Sequence, residues 1–269
     1  NNTLKENYGR PSKGAAYALR GMIYMWKKEY DSAIKDFEEV KKCGYDLWEG
    51  KYIDFFKYEN EKDKEMILPL QYDEASGYCD NIQLMVGSRD HYDCWTELIP
   101  SADFVDYYRN ADGSEFKWSA YLTGWDDLTP AQREVFFLRN NLTSNQSAYN
   151  DAKSRIGAEV MNKYYLDSGN EARIKKAYES RDPRLQQTII TPYSSTNCYS
   201  PYWNSGEPMQ NKVLRWPYLN RGGNNGDMWH NQRNAGYYIY KKYNETEKGR
   251  YIERLRCHCD YPLIRFTDV

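Results

Sequence analysis

Apolar positions along this chain form one sustained helical pattern followed by shorter, mixed signals. Between Ser12 and Gly44, Tyr17, Gly21 and Tyr24 stand at i, i+4 and i+7, and Ala33, Phe37 and Val40 repeat that spacing. Each set places one stripe on a helix, and a short turn at Lys28-Glu29 turns the two stripes toward each other. Small residues at Gly21 and Ala33 let the axes approach, Tyr24 and Phe37 close the packing around them, and Tyr30 is expected to pin the turn. Pro11-Ser12 reads as the start and Gly44 as the stop. An aromatic, a small residue and Tyr in the first helix, then Ala-x3-Phe in the second, is the tetratricopeptide pattern, with Arg20 where Leu is usual and Tyr45 where Pro is usual. No second copy is found. A repeat of this kind buries its outer faces only against neighbours, so the hairpin is expected to pack on the rest of the chain and on sequence beyond it.

Farther along, Tyr52 to Phe56 is a short apolar-aromatic stretch. Glu65 to Tyr72 reads as a strand in which Pro69 marks an edge or a bulge. Asn81 to Asp93 reads as loop. Ser101 to Tyr108, behind Pro100, predicts a short helix, and Thr129-Pro130-Ala131-Gln132 has the cap, first-turn proline and N3 glutamine of a helix start. Ala152 to Tyr165 and Ala172 to Ser180 are further helices. From Thr191 to Gly236 neither period holds and Tyr, Trp, Asn, Gly, Ser and Pro dominate, which predicts a long irregular surface region. Gly236 to Tyr243 returns as a strand.

Composition changes this picture in one respect. Of 269 residues, 27 are Tyr and 8 are Trp against 8 Phe, so much of the buried area must come from rings whose polar tips need partners. The formal net charge of -2, from 37 basic and 39 acidic residues, provides no field to hold a polyanion, and nucleic acid is not an expected partner. No apolar run reaches the length of about 18 residues needed to span a bilayer. The six cysteines match no paired C-x2-C zinc template, and their pairing is open.

A set of landmarks, taken in order, resembles the SusD/RagB family of outer-membrane nutrient-binding lipoproteins. They are Gly9-Arg10-Pro11 with Lys13-Gly14-Ala15-Ala16, Glu65-Met66-Ile67-Leu68 with Gln71-Tyr72, Pro100-Ser101, Phe104 to Tyr108, Asp112-Gly113, Arg181-Asp182-Pro183-Arg184-Leu185, and Tyr261 to Val269. The last two are the most specific. This resemblance implies a mainly α fold of the SusD-like superhelical type: a tetratricopeptide-like hairpin packed with a large irregular, loop-rich region and a few short strands. It implies one domain over 1–269, incomplete at both ends, with the hairpin at 8–47, a loop-rich excursion carrying the ligand site at 73–235, and a return segment at 236–269 leading into a further repeat. It also implies binding without chemistry, a lipid anchor outside this chain, an outer-surface location and a SusC-like TonB-dependent transporter as partner.

Sugar rings present apolar C–H faces ringed by hydroxyls, so a glycan site wants exposed aromatic platforms flanked by Asn, Gln, Asp and Arg. Two clusters supply them. The first holds Tyr78, Asn81, Arg89, Asp90, His91, Tyr92 and Trp95; the second holds Tyr202, Trp203, Asn204, Trp216, Asn224, Asn225, Trp229 and Asn231. Trp118 and Trp125 form a weaker third pair. Any of these rings can instead be a loop anchor packed into the core. For chemistry there is little: His91, His230 and His258 come with no nucleophile elbow, P-loop or H-E-x-x-H, and Asp126-Asp127 reads as a solvated pair. Cys257-His258-Cys259 has no standard metal spacing and reads as a disulfide or free thiols; no metal and no cofactor are assigned. The rival readings are a peptide-binding tetratricopeptide scaffold gripping through Tyr17 and Arg20, and a glycoside hydrolase.

Overall fold

A computed structural model describes residues 8–87, 94–198, 209–215, 238–241 and 255–269. The chain divides into two compact units, the first formed by 1–81, 245–248 and 254–269 and the second by 82–244 and 249–253. Eight helices and a few short strands make the described part mainly α.

In the first unit the hairpin forms as its pattern requires, with α1 at Lys13–Trp26 and α2 at Tyr30–Lys42. Ser12 caps α1 by accepting the Ala15 N–H at 3.0 Å, and its hydroxyl also meets the buried Tyr45 hydroxyl at 2.7 Å. Tyr45, which replaces the usual terminal proline, thus ties the end of the hairpin to its beginning. Gly21 lies under the Phe37 ring so closely that a Cβ there would sit 2.4 Å from a ring carbon. Arg20, which replaces the usual leucine, forks onto the buried Asp36 with both contacts at 2.7 Å, and the guanidinium holds that carboxyl below its ordinary value. Tyr30 does not pin the turn, being 53% exposed. The turn closes through its backbone instead: Lys28 takes φ 62°, and the Glu29 N–H donates to the Tyr24 carbonyl at 2.9 Å.

The inner side of the hairpin packs on a two-stranded antiparallel sheet of β1 (Met66–Leu70) and the last strand of the chain, Tyr261–Arg265. Ala15, Ala18, Val40, Tyr45, Ile67 and Ile264 form the core between them. The register shifts between Met66 and Leu68 and again between Leu68 and Pro69, which accommodates Pro69 as its lack of an N–H demands. The outer side of the hairpin carries Leu19, Ile23, Trp26 and Ile34, each half or more exposed.

The second unit adds α3 (Ile82–Val86), α4 (Ala102–Asp106), α5 (Gln146–Ile156), α6 (Ala158–Tyr164), α7 (Asn170–Glu179) and α8 (Pro183–Thr188). Three expectations are corrected here. Residues 82–86 are a helix rather than loop, because Gln83, Leu84 and Val86 face inward. The helix expected from Ala152 to Tyr165 begins earlier, at the Asn145 cap, and is broken by Gly157 at φ 101°, a conformation that ends α5 and starts α6. The stretch after Thr191 is not wholly irregular surface: β3 (Ser195–Cys198) pairs antiparallel with β4 (Met209–Val213), and Thr191, Tyr193 and Leu214 are buried. The return strand is present as β5 (Ile239–Tyr240), paired with β2 (Ile189–Ile190), and the terminal strand is β6.

Polar side chains hold the centre of this unit. Asn170 is fully buried and its amide donates to the carbonyls of Val135, Phe136 and Leu138. Buried tyrosine hydroxyls find protein partners: Tyr178 with Tyr238 at 2.8 Å, and Tyr193 on the Phe137 carbonyl. Arg181 is the largest fully buried side chain. Its guanidinium lies 3.6 Å from the Phe116 ring centroid and donates at 2.6 Å to the carbonyls of both Val105, in the last turn of α4, and Tyr108, just beyond it. Asp106, 3.7 Å away, balances its charge and accepts the Trp118 indole N–H. Replacing Arg181 by Met keeps the volume but leaves those carbonyls and a carboxylate without their donor, which is expected to cost about 3–5 kcal/mol. Urea unfolding checks this, and a midpoint unchanged from wild type would show that Arg181 carries no such load.

Candidate functional site

The sequence candidates separate by environment. In the first unit the chain leaves β1 and makes a tight excursion from Asp73 to Tyr78. The Asp73 N–H donates to the Tyr78 carbonyl at 2.7 Å, and the Tyr78 N–H returns to the Asp73 carbonyl at 3.0 Å. Inside the loop, the Asp73 carboxylate accepts the N–H and hydroxyl of Ser76, which hold its carboxyl below the ordinary range, and Gly77 takes φ 75°. The outcome is a rigid turn that presents Tyr78 with its ring 73% exposed.

The return segment lies beside this turn. The Asp80 N–H donates to the Cys257 carbonyl at 3.0 Å, and the Asn81 side-chain carbonyl accepts the Leu255 N–H at 2.7 Å. Arg256 binds Glu74 through Nε at 2.6 Å, and the second Glu74 oxygen lies 3.6 Å from His258 Nδ1. His258 meets the half-exposed Tyr58 edge-on, with centroids 4.6 Å apart. Tyr58, His258, Glu74 and Arg256 therefore form one connected cluster, and Glu74 belongs to the same turn as the exposed Tyr78. Asn81 serves this cluster by fixing the return segment through its oxygen. The sequence reading missed Tyr58, Glu74, Arg256 and His258, since only a pairing across about 180 residues brings them beside Tyr78. No local spacing signals such a pairing.

In the second unit Trp95 is half-buried, packs on the main core and donates its backbone N–H to the Leu84 carbonyl at 2.7 Å. Trp118 is a core residue. It stacks on Trp125 at 5.0 Å, meets Phe116, Phe137 and Tyr178 edge-on, and spends its indole N–H on Asp106. The other face of Trp125 carries the Arg133 guanidinium at 4.8 Å. This third pair is therefore architecture rather than platform. Tyr107, at the end of α4, is 86% exposed, and the partly exposed Phe104 meets Tyr108 edge-on; the sequence reading used these rings only as a landmark. Asp126 and Asp127 are exposed neighbours on one turn. Arg89, Asp90, His91, Tyr92, Tyr202, Trp203, Asn204, Trp216, Asn224, Asn225, Trp229, His230 and Asn231 lie outside the described residues.

Cys257 and Cys259 are free thiols, and the hydrogen bond with Cys259, then burial and the charge of Asp80, pushes the Cys257 thiol up. Among the described residues no group of three or more His, Cys, Asp or Glu is gathered to hold a metal ion, and no helix is long and apolar enough to cross a membrane.

Residues 47–269 match the sequence model of the SusD family. No curated protein matches the chain. Among solved structures it is similar to a SusD-like protein from Bacteroides fragilis NCTC 9343, with a TM-score of 0.59 and 20% identity over 98% of this chain and 42% of that one. The chain thus spans less than half the length of that relative, and the likeness covers both compact units.

The environments set the expected cost of removing each ring. Trp118→Ala is expected to destabilise by about 3–5 kcal/mol. Tyr78→Ala should stay within about 0.5 kcal/mol of wild type. Paired urea melts check both, and similar losses in the two variants would place Tyr78 in the core instead.

Proposed function

We infer a role in nutrient capture from one fact: this chain belongs to the SusD family. The reading supported best is binding of an oligosaccharide or polysaccharide at the outer face of the outer membrane and its delivery to a SusC-like TonB-dependent transporter. No chemical step and no cofactor take part, and attachment is through a lipid anchor outside this chain. The family match over residues 47–269 carries this reading, since structural likeness at 20% identity speaks for the fold alone.

The surface around Tyr78 has the chemistry such a ligand needs. Its exposed ring offers an apolar face to the C–H side of a sugar, and Arg256 and Glu74 stand nearby as donor and acceptor for hydroxyls. Because the Arg256–Glu74 pair and the Asp73–Tyr78 turn are already fixed, little ordering is lost on binding. Trp95, Arg89, Tyr92, Trp203, Trp216, Asn224 and Trp229 are proposed as further contacts on composition alone.

The rivals find less support. A peptide groove around Tyr17 and Arg20 needs polar groups to spare, but Arg20 is committed to Asp36 and Tyr17 lies 5.4 Å from both Lys13 and Arg20. A glycoside hydrolase needs two carboxyls placed on either side of a bond, and Asp126 and Asp127 are adjacent on a single exposed turn.

A stacking ring is worth about 0.5–1.5 kcal/mol beyond its burial, so Tyr78→Ala is expected to lower glycan affinity roughly three- to tenfold. Calorimetry of the full-length protein against a panel of polysaccharides, with reducing ends assayed in the same tubes, measures this. Release of reducing ends, or unchanged affinity in Tyr78→Ala, Trp203→Ala and Trp229→Ala alike, would overturn the reading.

A further inference from the structure

A polar corner of the first unit gathers three distant parts of the chain on one carboxylate. Asp260, just before β6, accepts the Tyr72 N–H on Oδ1 at 2.9 Å and the Tyr8 hydroxyl on Oδ2, while its own N–H donates to Glu61 Oε1 at 2.7 Å. The approach of Tyr8 is fixed by its neighbour: Gly9 takes φ 85°, and a Cβ there would run into the Gln71 side chain. Tyr8, Glu61, Tyr72 and Asp260 are all only partly exposed. Two carboxyl groups therefore share a poorly hydrated space, an arrangement that disfavours a charge on both.

The charged and titratable groups around the pair come from every segment that meets there. Lys62 lies 5.6 Å from the Tyr8 ring centroid and favours the ionised form of both acids. His258, held near Glu74, favours ionised Asp260, and Asp80 acts on the Tyr72 hydroxyl. Asp63 is spent on the Glu65 N–H. Burial is the largest influence on Glu61 and outweighs the Asp260 N–H, which favours the ionised acid; with the charge on Asp260 added, Glu61 is raised from 4.5 to about 8. Burial likewise lifts Asp260 above its ordinary value.

We propose that Glu61 and Asp260 form a proton-operated latch: with a proton on Glu61 the corner holds Tyr8 and the Tyr72 segment against the segment that leads into β6, and loss of that proton loosens it. The sign follows from linkage. Closed, the corner keeps a proton on Glu61 up to about pH 8; opened to water, it loses that proton near 4.5. Closing is therefore coupled to proton uptake across that window, and the latch weakens as pH rises through it and levels off above.

Amide hydrogen exchange by NMR on the full-length protein, from pH 5.5 to 9, reads the latch at the Tyr72 and Asp260 N–H groups. In wild type the protection factors should fall by up to roughly tenfold per pH unit and then level off near pH 8. Glu61→Gln retains the acceptor and cannot ionise, so its protection should be independent of pH. Tyr8→Phe should lower protection at every pH while keeping the slope. A flat wild-type profile would overturn the proposal, as would a Glu61→Gln profile that falls like wild type or a Tyr8→Phe variant with undiminished protection.

Discussion

A guanidinium with no access to water must draw its acceptors and its counter-charge from protein, and in the second unit Arg181 does so with Nε and Nη2 on backbone carbonyls and Nη1 3.7 Å from Asp106. Its partners fix three elements at once: the end of α4 through the Val105 and Tyr108 carbonyls, the Phe116 ring beneath it, and α8, whose Asp182 cap follows Arg181 directly. Neighbouring backbone bonds extend the clamp, with Ala111 N–H on the Ser180 carbonyl and Asp182 N–H on the Arg109 carbonyl. Asp106 couples this cation to the aromatic core, because the carboxylate that balances Arg181 also holds the Trp118 indole. Burial raises the Asp106 carboxyl, so the pair gives up part of its attraction in desolvation, and its worth lies in specifying one geometry for α4 rather than in net stability.

The same logic runs through the unit. A chain rich in tyrosine and poor in aliphatic residues buries area only if each hydroxyl is answered. The answers are specific: Tyr178 to Tyr238, Tyr193 to the Phe137 carbonyl, and Tyr165 between the Arg139 carbonyl and the Leu142 N–H. Asn170 does for three carbonyls what no apolar side chain can. Such a core holds irregular backbone in place by directional bonds, which lets segments without a regular period be ordered.

That explains which parts of the fold were legible in the sequence. The hairpin was readable because its period, caps and small residues are local, and the cap at Ser101 and the box at Thr129 and Gln132 were readable for the same reason. The short helix at 82–86 and the β3–β4 pair were not, because their burial is conferred by partners remote in sequence. The family landmarks had no physical meaning until the structure joined them: Gly9 packs on Gln71, Tyr72 and Tyr8 meet at Asp260, and Arg181 reaches back to Tyr108. Residues that are weak signals alone are the ends of single contacts.

The candidate site was less legible than the fold, since composition names aromatic residues without saying which face water. Trp118, in the weaker third pair, and Tyr78, in the first cluster, are both read from the sequence as candidate platforms. One is surrounded by four other rings, and the other stands on a turn closed by two backbone bonds. The deciding quantity is whether protein covers the ring: Trp118 is 8% exposed and Tyr78 is 73% exposed. A ring left facing water on a turn already closed by its own backbone bonds can meet a flat apolar face with little further ordering, whereas a ring held among other rings cannot be freed without opening the core.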